Sequence, residues 1–149
     1  MADEAAVAPP SAEHSASPSF NRLLGQVERQ VSRQLDTVLA PEGLTVDQWR
    51  VLDLLSHGEG YPMAEIAAAI AVPGPSLTKI VDRLVNQAAV YRLVDERDRR
   101  RVLAFISEHG RELHEHLAPQ VRTIDRETLQ RLGDDGQLLL TLLTRLAEA

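Results

Sequence analysis

The sequence predicts a mainly α-helical protein with one small β-hairpin. Apolar residues recur every three or four positions over most of the chain from Phe20 onward, which is the pattern of helices with one buried face. On either side of a polar turn at residues 95–101 the period changes to two, which is the pattern of short strands. A chain of 149 residues is long enough to bury an interior, and we expect a single domain over residues 19–149.

Composition excludes several classes of protein. The chain contains no cysteine, so disulfide scaffolds, thiolate zinc sites and cysteine nucleophiles are ruled out. Its apolar runs fall far short of the ~18 residues that a membrane span needs. No secretion signal is recognisable near Met1. We therefore expect a cytoplasmic protein with no membrane partner.

The N-terminal part of the chain divides into a tail and a long helix. Residues 1–18 are mostly alanine, proline, serine and acidic residues, and we expect a disordered tail there. The first helix begins at Phe20 and ends near Pro41 and Gly43, which break helices. Its predicted buried stripe consists of Phe20, Leu24, Val27, Val31, Leu35 and Val38.

The centre of the chain predicts a helix-turn-helix. Thr45 and Gln48 have the spacing of a capping box and open a second helix. A short third helix at about residues 63–70 and a fourth at about 75–87 are separated by a tight turn. In a helix-turn-helix, the second of two such helices commonly enters the major groove of DNA.

A β-hairpin follows directly. Strands are expected at residues 90–94 and 102–106, and the turn between them carries four arginines. Helix resumes at Glu108, and a last helix spans about residues 135–147. The hairpin therefore follows directly on the fourth helix, the candidate recognition helix.

The helices at the two ends of the chain are rich in leucine and valine. Pro119 is expected to bend the helix that begins at Glu108. Residues 19–43 and 108–149 together hold more apolar side chains than a small monomer can cover. A homodimer formed through both ends would cover them, with residues 44–107 as a separate DNA-binding region. The chain itself is thus one expected partner.

Charge is unevenly distributed along the chain. The net charge of the whole sequence is −6, which by itself disfavours a nucleic-acid partner. Residues 74–101, however, contain seven basic and four acidic residues, a net charge of +3, so the remainder carries −9. A local basic segment is what meets phosphates, whereas the total charge governs solubility.

Three segments resemble the MarR family of winged helix-turn-helix transcriptional regulators. Residues 44–52, LTVDQWRVL, resemble the family's entry to its second helix. Residues 75–84, PSLTKIVDRL, resemble its recognition helix, and residues 98–110, DRRRVLAFISEHG, resemble its wing and the start of the next helix. The three motifs occur in order and at the family's separations, which makes the resemblance specific.

The resemblance implies a homodimer that binds a palindromic operator in double-stranded DNA, as a repressor released by a small, often aromatic, effector. Arg100 would enter the minor groove, positioned by Asp98, since an arginine fits a narrow A·T-rich groove and a carboxylate can fix its guanidinium. The DNA-contacting residues implied are Ser76, Thr78, Lys79, Arg83, Arg97, Asp98, Arg99 and Arg100.

Three positions depart from the family pattern. Pro62 stands where the family usually has a capping serine or threonine, so a side-chain cap is missing. Pro73 and Gly74 replace a serine and a lysine beside the DNA, which predicts an unusual operator preference. Ala88 replaces a glycine; because a left-handed alanine costs roughly 1 kcal/mol, we predict a differently shaped helix end without positive φ at Ala88.

Candidate effector residues are less well defined by the sequence. Trp49 invites stacking with a ligand, although a lone tryptophan on an apolar helix face is more often part of a core. His57, Arg29 and Arg50 are further ligand candidates, and each can equally be a surface residue or an ion-pair partner.

Catalysis, metal binding and cofactor binding have little support. The chain has no nucleophile elbow, phosphate-binding glycine loop or paired zinc-ligand motif, so we expect neither an enzyme nor a cofactor. His114 and His116 point to different sides of a helix, so their spacing does not favour a shared metal ion. One alternative stays open, a winged-helix protein-interaction module without sequence-specific DNA binding.

Overall fold

The computed structural model describes residues 17–149, so nearly all of the expected tail lies outside the described part of the chain. The elements are α1 (Phe20–Leu39), a 3-10 turn (Ala40–Glu42), α2 (Val46–Ser56), β1 (Tyr61–Pro62), α3 (Met63–Ala69), α4 (Gly74–Asn86), β2 (Val90–Val94), β3 (Val102–Ile106), α5 (Glu108–Gln130) and α6 (Asp135–Ala147). The predicted fold class, mainly α with a small β-hairpin in a winged helix-turn-helix, is confirmed. Predicted helix ends are correct to within one residue for α3 and α4.

Side-chain caps begin α2 and α5. The Thr45 hydroxyl accepts a hydrogen bond from the backbone N–H of Gln48 at 3.2 Å, and the Gln48 side chain accepts one from the Thr45 N–H at 2.9 Å. The predicted capping box is thereby confirmed. At α5 the Ser107 hydroxyl caps the N–H of Gly110 at 2.9 Å, whereas α3 begins at Pro62 without a side-chain cap, as predicted.

The sheet has three antiparallel strands in the order β1-β3-β2. The hairpin pairs Val90 with Ile106 and Val94 with Val102, as the alternating pattern predicts. Strand β1 is not predicted by the sequence analysis, because two residues are too few to show a period. Pairing of Tyr61 with Ala104 attaches the hairpin to the start of α3.

The core lies where α2, α3, α4 and α5 meet. Its wholly buried large side chains include Leu52, Ile66, Leu77, Leu84 and Leu117. These residues occupy one face of each helix, which leaves the opposite face of α4 free to present polar side chains. No single helix in residues 17–149 is long and apolar enough to cross a membrane; α3 and α4 reach that length and apolarity only when taken together, and they are bent by 105°.

The turn of the helix-turn-helix bends the chain by 105° between α3 and α4. Ala71 occupies the left-handed region at φ +56°, and the N–H of Val72 donates to the Ala67 carbonyl at 3.0 Å. This bond closes the C-terminal end of α3 in the manner of a Schellman motif. The 105° angle falls within the range of DNA-binding helix-turn-helix units.

The prediction for Ala88 was wrong, because this residue has φ +57°. The N–H of Ala89 donates to the Leu84 carbonyl at 2.9 Å, and the N–H of Ala88 donates to the Val85 carbonyl at 2.9 Å, so α4 ends in a Schellman motif despite the missing glycine. Ser107 holds this turn from the far side of the hairpin, since its hydroxyl donates to the Ala88 carbonyl at 2.6 Å.

Replacing Ala88 by glycine is expected to stabilise the fold by about 0.5–1 kcal/mol, because relief of the left-handed strain outweighs the entropy that glycine gains on unfolding. Chemical denaturation monitored by circular dichroism measures the difference. The matched control is Ala89→Gly, since Ala89 is buried and does not have positive φ. Equal destabilisation by both substitutions would contradict the strain.

The terminal helices leave many apolar side chains exposed. The second half of the stripe on α1, from Val31 onward, packs on the core, but the first half does not. The exposed large apolar side chains of α1 and α6 are Phe20, Leu23, Leu24, Val27, Leu138, Leu140, Leu142, Leu143 and Leu146. Helix α5 runs unbroken through Pro119 and supports α1 and α6.

Candidate nucleic-acid interface

Helix α4 presents a polar face away from the core. Leu77, Val81 and Leu84 are buried, whereas the side chains that the sequence analysis assigned to DNA lie on the exposed face. Three of them, Ser76, Lys79 and Arg83, line one shallow concavity of about 250 Å³ together with the start of α2. Thr78 is also exposed, and its hydroxyl donates to the Gly74 carbonyl at 3.2 Å.

The tip of the wing has a backbone held by its own aspartates. The N–H of Asp95 donates to the Arg101 carbonyl at 2.9 Å and closes the hairpin. The Asp95 carboxylate accepts from the N–H of Arg97 at 2.9 Å, and the Asp98 carboxylate accepts from the N–H of Arg100 at 3.0 Å. These two Asx turns define the backbone from which the arginine side chains project.

Asp98 therefore acts on Arg100 in a different way from that expected. The expectation was a carboxylate that fixes the guanidinium, but the Asp98 carboxylate bonds to the Arg100 backbone instead. No ion pair joins these two side chains in the described structure. The geometry leaves the Arg100 guanidinium available to another anion.

Two further arginines attach the wing to the helix-turn-helix. Arg92 on β2 forms an ion pair with Asp82 on α4, with Nη2 and Oδ1 2.7 Å apart. Arg101 lies 3.6 Å from the Glu65 carboxylate on α3 and 4.0 Å from that of Asp95. These contacts are not predictable from the sequence, because only the folded chain brings the partners together.

Ion pairing separates the basic residues into two groups. Of the seven basic residues in residues 74–101, Arg92 and Arg101 have carboxylate partners in the described structure. Five others form no ion pair there, and we call them the reading cations: Lys79 and Arg83 on α4, and Arg97, Arg99 and Arg100 at the wing tip. An exposed, unpaired cation is what a phosphate or a narrow minor groove attracts.

The four ligand candidates divide according to whether they line one cleft. A cleft of about 420 Å³ is lined by Arg50 and His57 together with Asp53, Leu54, Ala69, Ile70 and Ala71. Arg29, in contrast, is exposed on α1 outside this lining, and Trp49 is buried with 5% of its surface exposed. Two of the four candidates are thus brought together and two are not.

Arg50 links the cleft to α1. Its guanidinium lies 3.0 Å from the Asp47 carboxylate and 3.5 Å from that of Glu28. A hydrogen bond from the Ser32 hydroxyl, and then the Arg50 guanidinium, hold the pKa of Glu28 below its ordinary value. The ion pair at Arg50 therefore joins the wall of the cleft to the first helix.

Trp49 packs against His114, and neither residue lines the cleft. The two rings are stacked with centroids 4.9 Å apart, and His114 Nε2 lies 2.8 Å from the Asp53 carboxylate. This chain of contacts joins α2 to α5. No cluster of three or more metal-ligating side chains occurs in the described part of the chain.

The exposed face of α4 and the attached hairpin define a winged helix-turn-helix protein with a cationic surface. Residues 42–101 match the sequence profile of the MarR family. The transcriptional regulator FarR of Neisseria gonorrhoeae is 30% identical over 131 residues, which cover 87% of this chain and 90% of FarR. The chain belongs to the MarR family, whose members are transcriptional regulators and not enzymes.

Two solved structures show the same fold at similar identity. The regulator NadR in complex with 4-hydroxyphenylacetate is 30% identical, with a TM-score of 0.77 over 89% of this chain and 95% of NadR. A mutant of MarR from Escherichia coli, complexed with operator DNA, is 27% identical, with a TM-score of 0.75 over 84% of this chain and 90% of that protein. One relative thus holds a small aromatic acid and the other holds DNA.

Proposed function

We propose that this protein is a homodimeric, sequence-specific DNA-binding transcriptional regulator, a repressor that a small aromatic ligand releases from its operator. The observation that carries the proposal is the set of five reading cations, which are exposed and unpaired in the described structure. They lie on two adjoining elements of a chain whose net charge outside residues 74–101 is −9. The acidic remainder would repel DNA in any other orientation.

The recognition surface combines base contacts and phosphate contacts. Ser76 and Thr78 lie in the first turns of α4, where a recognition helix meets base edges. Because the Thr78 hydroxyl already donates to Gly74, its oxygen remains an acceptor and its methyl group can meet a thymine methyl. Lys79 and Arg83 would bind phosphates or guanine.

The wing would supply the minor-groove contact. Arg100 projects from a hairpin tip whose backbone is held by Asp98, and Arg97 and Arg99 flank it as phosphate contacts. A guanidinium placed in a narrow A·T-rich groove gains from the strong negative potential there. The Asp98 carboxylate would repel phosphates, so its proposed role is to position Arg100 through the backbone hydrogen bond and not to contact DNA.

The exposed apolar faces of α1 and α6 would form the dimer interface, through residues 19–43 and 108–149. Side chains such as Phe20 and Leu142 are more than two-fifths exposed, and contiguous surfaces of this kind mark protein interfaces. A two-fold dimer places two α4 helices symmetrically, which matches a palindromic operator with half-sites about 10 bp apart.

The effector would bind in the cleft at Arg50 and His57. A carboxylate could pair with Arg50, and an aromatic ring could lie on the apolar wall that includes Leu54 and Ile70. The wall also contains Ala71 in the turn before α4, so a ligand there would shift the recognition helix. Trp49 is buried and Arg29 lies outside the cleft lining, so we expect neither to contact the ligand.

Selection of binding sites from a random duplex library tests the proposed function. We expect an inverted repeat, bound with an affinity that falls about a thousandfold between 50 and 200 mM salt. Benzoate and 4-hydroxyphenylacetate would then be tested for release of the selected duplex, with His57→Ala as the variant that resists release. No enriched sequence and no binding at low salt by a folded dimer would favour the protein-interaction module.

A further inference from the structure

We propose that Asp82 and Arg92 are positioning residues that hold the wing at a fixed angle to α4, so that an acidic residue of the recognition helix increases the affinity for DNA. The inference rests on the DNA binding proposed above. It assigns a role to a carboxylate that lies among Lys79 and Arg83, close to the expected path of the phosphates.

The contact between the two side chains is short and well placed. Nη2 of Arg92 lies 2.7 Å from Oδ1 of Asp82, which is the distance of a charge-assisted hydrogen bond. Arg92 pairs with Ala104 at the middle of the hairpin, so the ion pair holds the wing halfway along its length. Without this ion pair, the hairpin would be held at its root and along β3, where Leu103 and Ala104 pair with β1, and β2 would be freer to change its angle to α4.

A second contact holds the other side of the wing. Arg101, at the base of the tip, lies 3.6 Å from Glu65 on α3. The hairpin is thus tied to α4 by Arg92 and to α3 by Arg101, and the reading cations of the tip lie beyond both contacts. Together with the pairing of β1 and β3, these two contacts determine where the guanidinium of Arg100 lies relative to the recognition helix.

Electrostatics alone predicts the opposite effect for Asp82. A carboxylate near DNA repels phosphates, so its removal should tighten binding and should also free Arg92 as one more cation. Positioning predicts weaker binding, because the free wing must be ordered when DNA binds. The sign of the change therefore distinguishes the two roles.

The experiment compares Asp82→Asn, Arg92→Gln, the double variant and the charge swap Asp82→Arg/Arg92→Asp. Fluorescence anisotropy on the duplex selected by the unsubstituted chain measures the dissociation constant and its salt dependence. Each single variant is expected to weaken binding about three- to tenfold, the double variant no more than either single one, and the swap to restore part of the affinity. The salt slope of Arg92→Gln stays that of the unsubstituted chain, since a residue that only positions contacts no phosphate.

The matched control is Glu96→Gln, which removes an exposed wing carboxylate that forms no ion pair in the described structure. It should leave binding unchanged or make it slightly tighter. Hydrogen exchange without DNA gives a second measurement, in which Asp82→Asn should accelerate exchange at the β2 and β3 amides and Glu96→Gln should not.

Three outcomes would overturn the inference. Asp82→Asn could bind as tightly as Glu96→Gln, Arg92→Gln could lower the salt slope by about two, one for each protomer, or exchange in the wing could stay unchanged. Any of these would leave the proposed DNA binding intact. If the unsubstituted chain selected no duplex, the proposed function would fail as well, and the hydrogen-exchange result would still decide whether the ion pair holds the wing.

Discussion

Replacing Arg100 by alanine is expected to weaken binding of the selected operator by about a hundredfold and to leave the dimer intact. A specific arginine contact is worth about 1–3 kcal/mol, and a dimer loses two of them. The guanidinium projects from a tip whose backbone is held by hydrogen bonds at Asp95 and Asp98, so little entropy is lost when it enters the groove. The side chain is exposed and lies outside the apolar core, which is why folding should be unaffected.

Anisotropy titrations with the selected duplex measure the loss, and light scattering checks the dimer. Arg97→Ala is the matched control, because it removes an exposed wing cation whose expected contact is a phosphate. Replacement of A·T pairs under the wing by G·C pairs should weaken binding of the unsubstituted chain but not of Arg100→Ala. Equal loss for Arg97→Ala and Arg100→Ala, with no effect of the base change, would rule out minor-groove reading.

The wing illustrates how much of the fold the sequence could predict. Strands β2 and β3 have the predicted bounds, because alternation on both sides of a polar turn is a local signal. Ala88 was predicted wrongly, because its left-handed turn is held in part by the Ser107 hydroxyl, 19 residues away. The conformational cost of a left-handed alanine argues against positive φ at Ala88, and the hydrogen bond from the distant Ser107 hydroxyl offsets part of that cost.

The candidate site shows the same difference between local signals and contacts of distant residues. The exposed cations of α4 and the wing tip could be named from the helical period and the turn, since both are local. The arginines that form ion pairs could not be named from the sequence, because Arg92 meets Asp82 and Arg101 meets Glu65 only after the hairpin folds back on the helices. Counting charge over residues 74–101 gives +3, but pairing decides which of those charges remain available for DNA.

Replacing Leu142 by lysine is expected to convert the dimer into a monomer. Leu142 is 47% exposed and lies on one stripe of α6 with Leu138 and Leu146, which are each 54% exposed. A lysine in this stripe would have to lose hydration in the dimer without a partner, whereas in the monomer it stays in water. Because the side chain is not part of the monomer core, the helical content should be preserved.

A monomer should also bind the palindrome at least about a hundredfold more weakly, because two linked half-site contacts become two separate ones. Light scattering gives the mass, and circular dichroism shows whether the fold is kept. Thr141→Lys is the matched control: it adds the same charge to an exposed position of α6 outside the leucine stripe. Arg100→Ala should lose DNA binding as a dimer, whereas Leu142→Lys should lose it as a monomer. A dimeric Leu142→Lys variant with full affinity would show that the apolar face of α6 is not the interface.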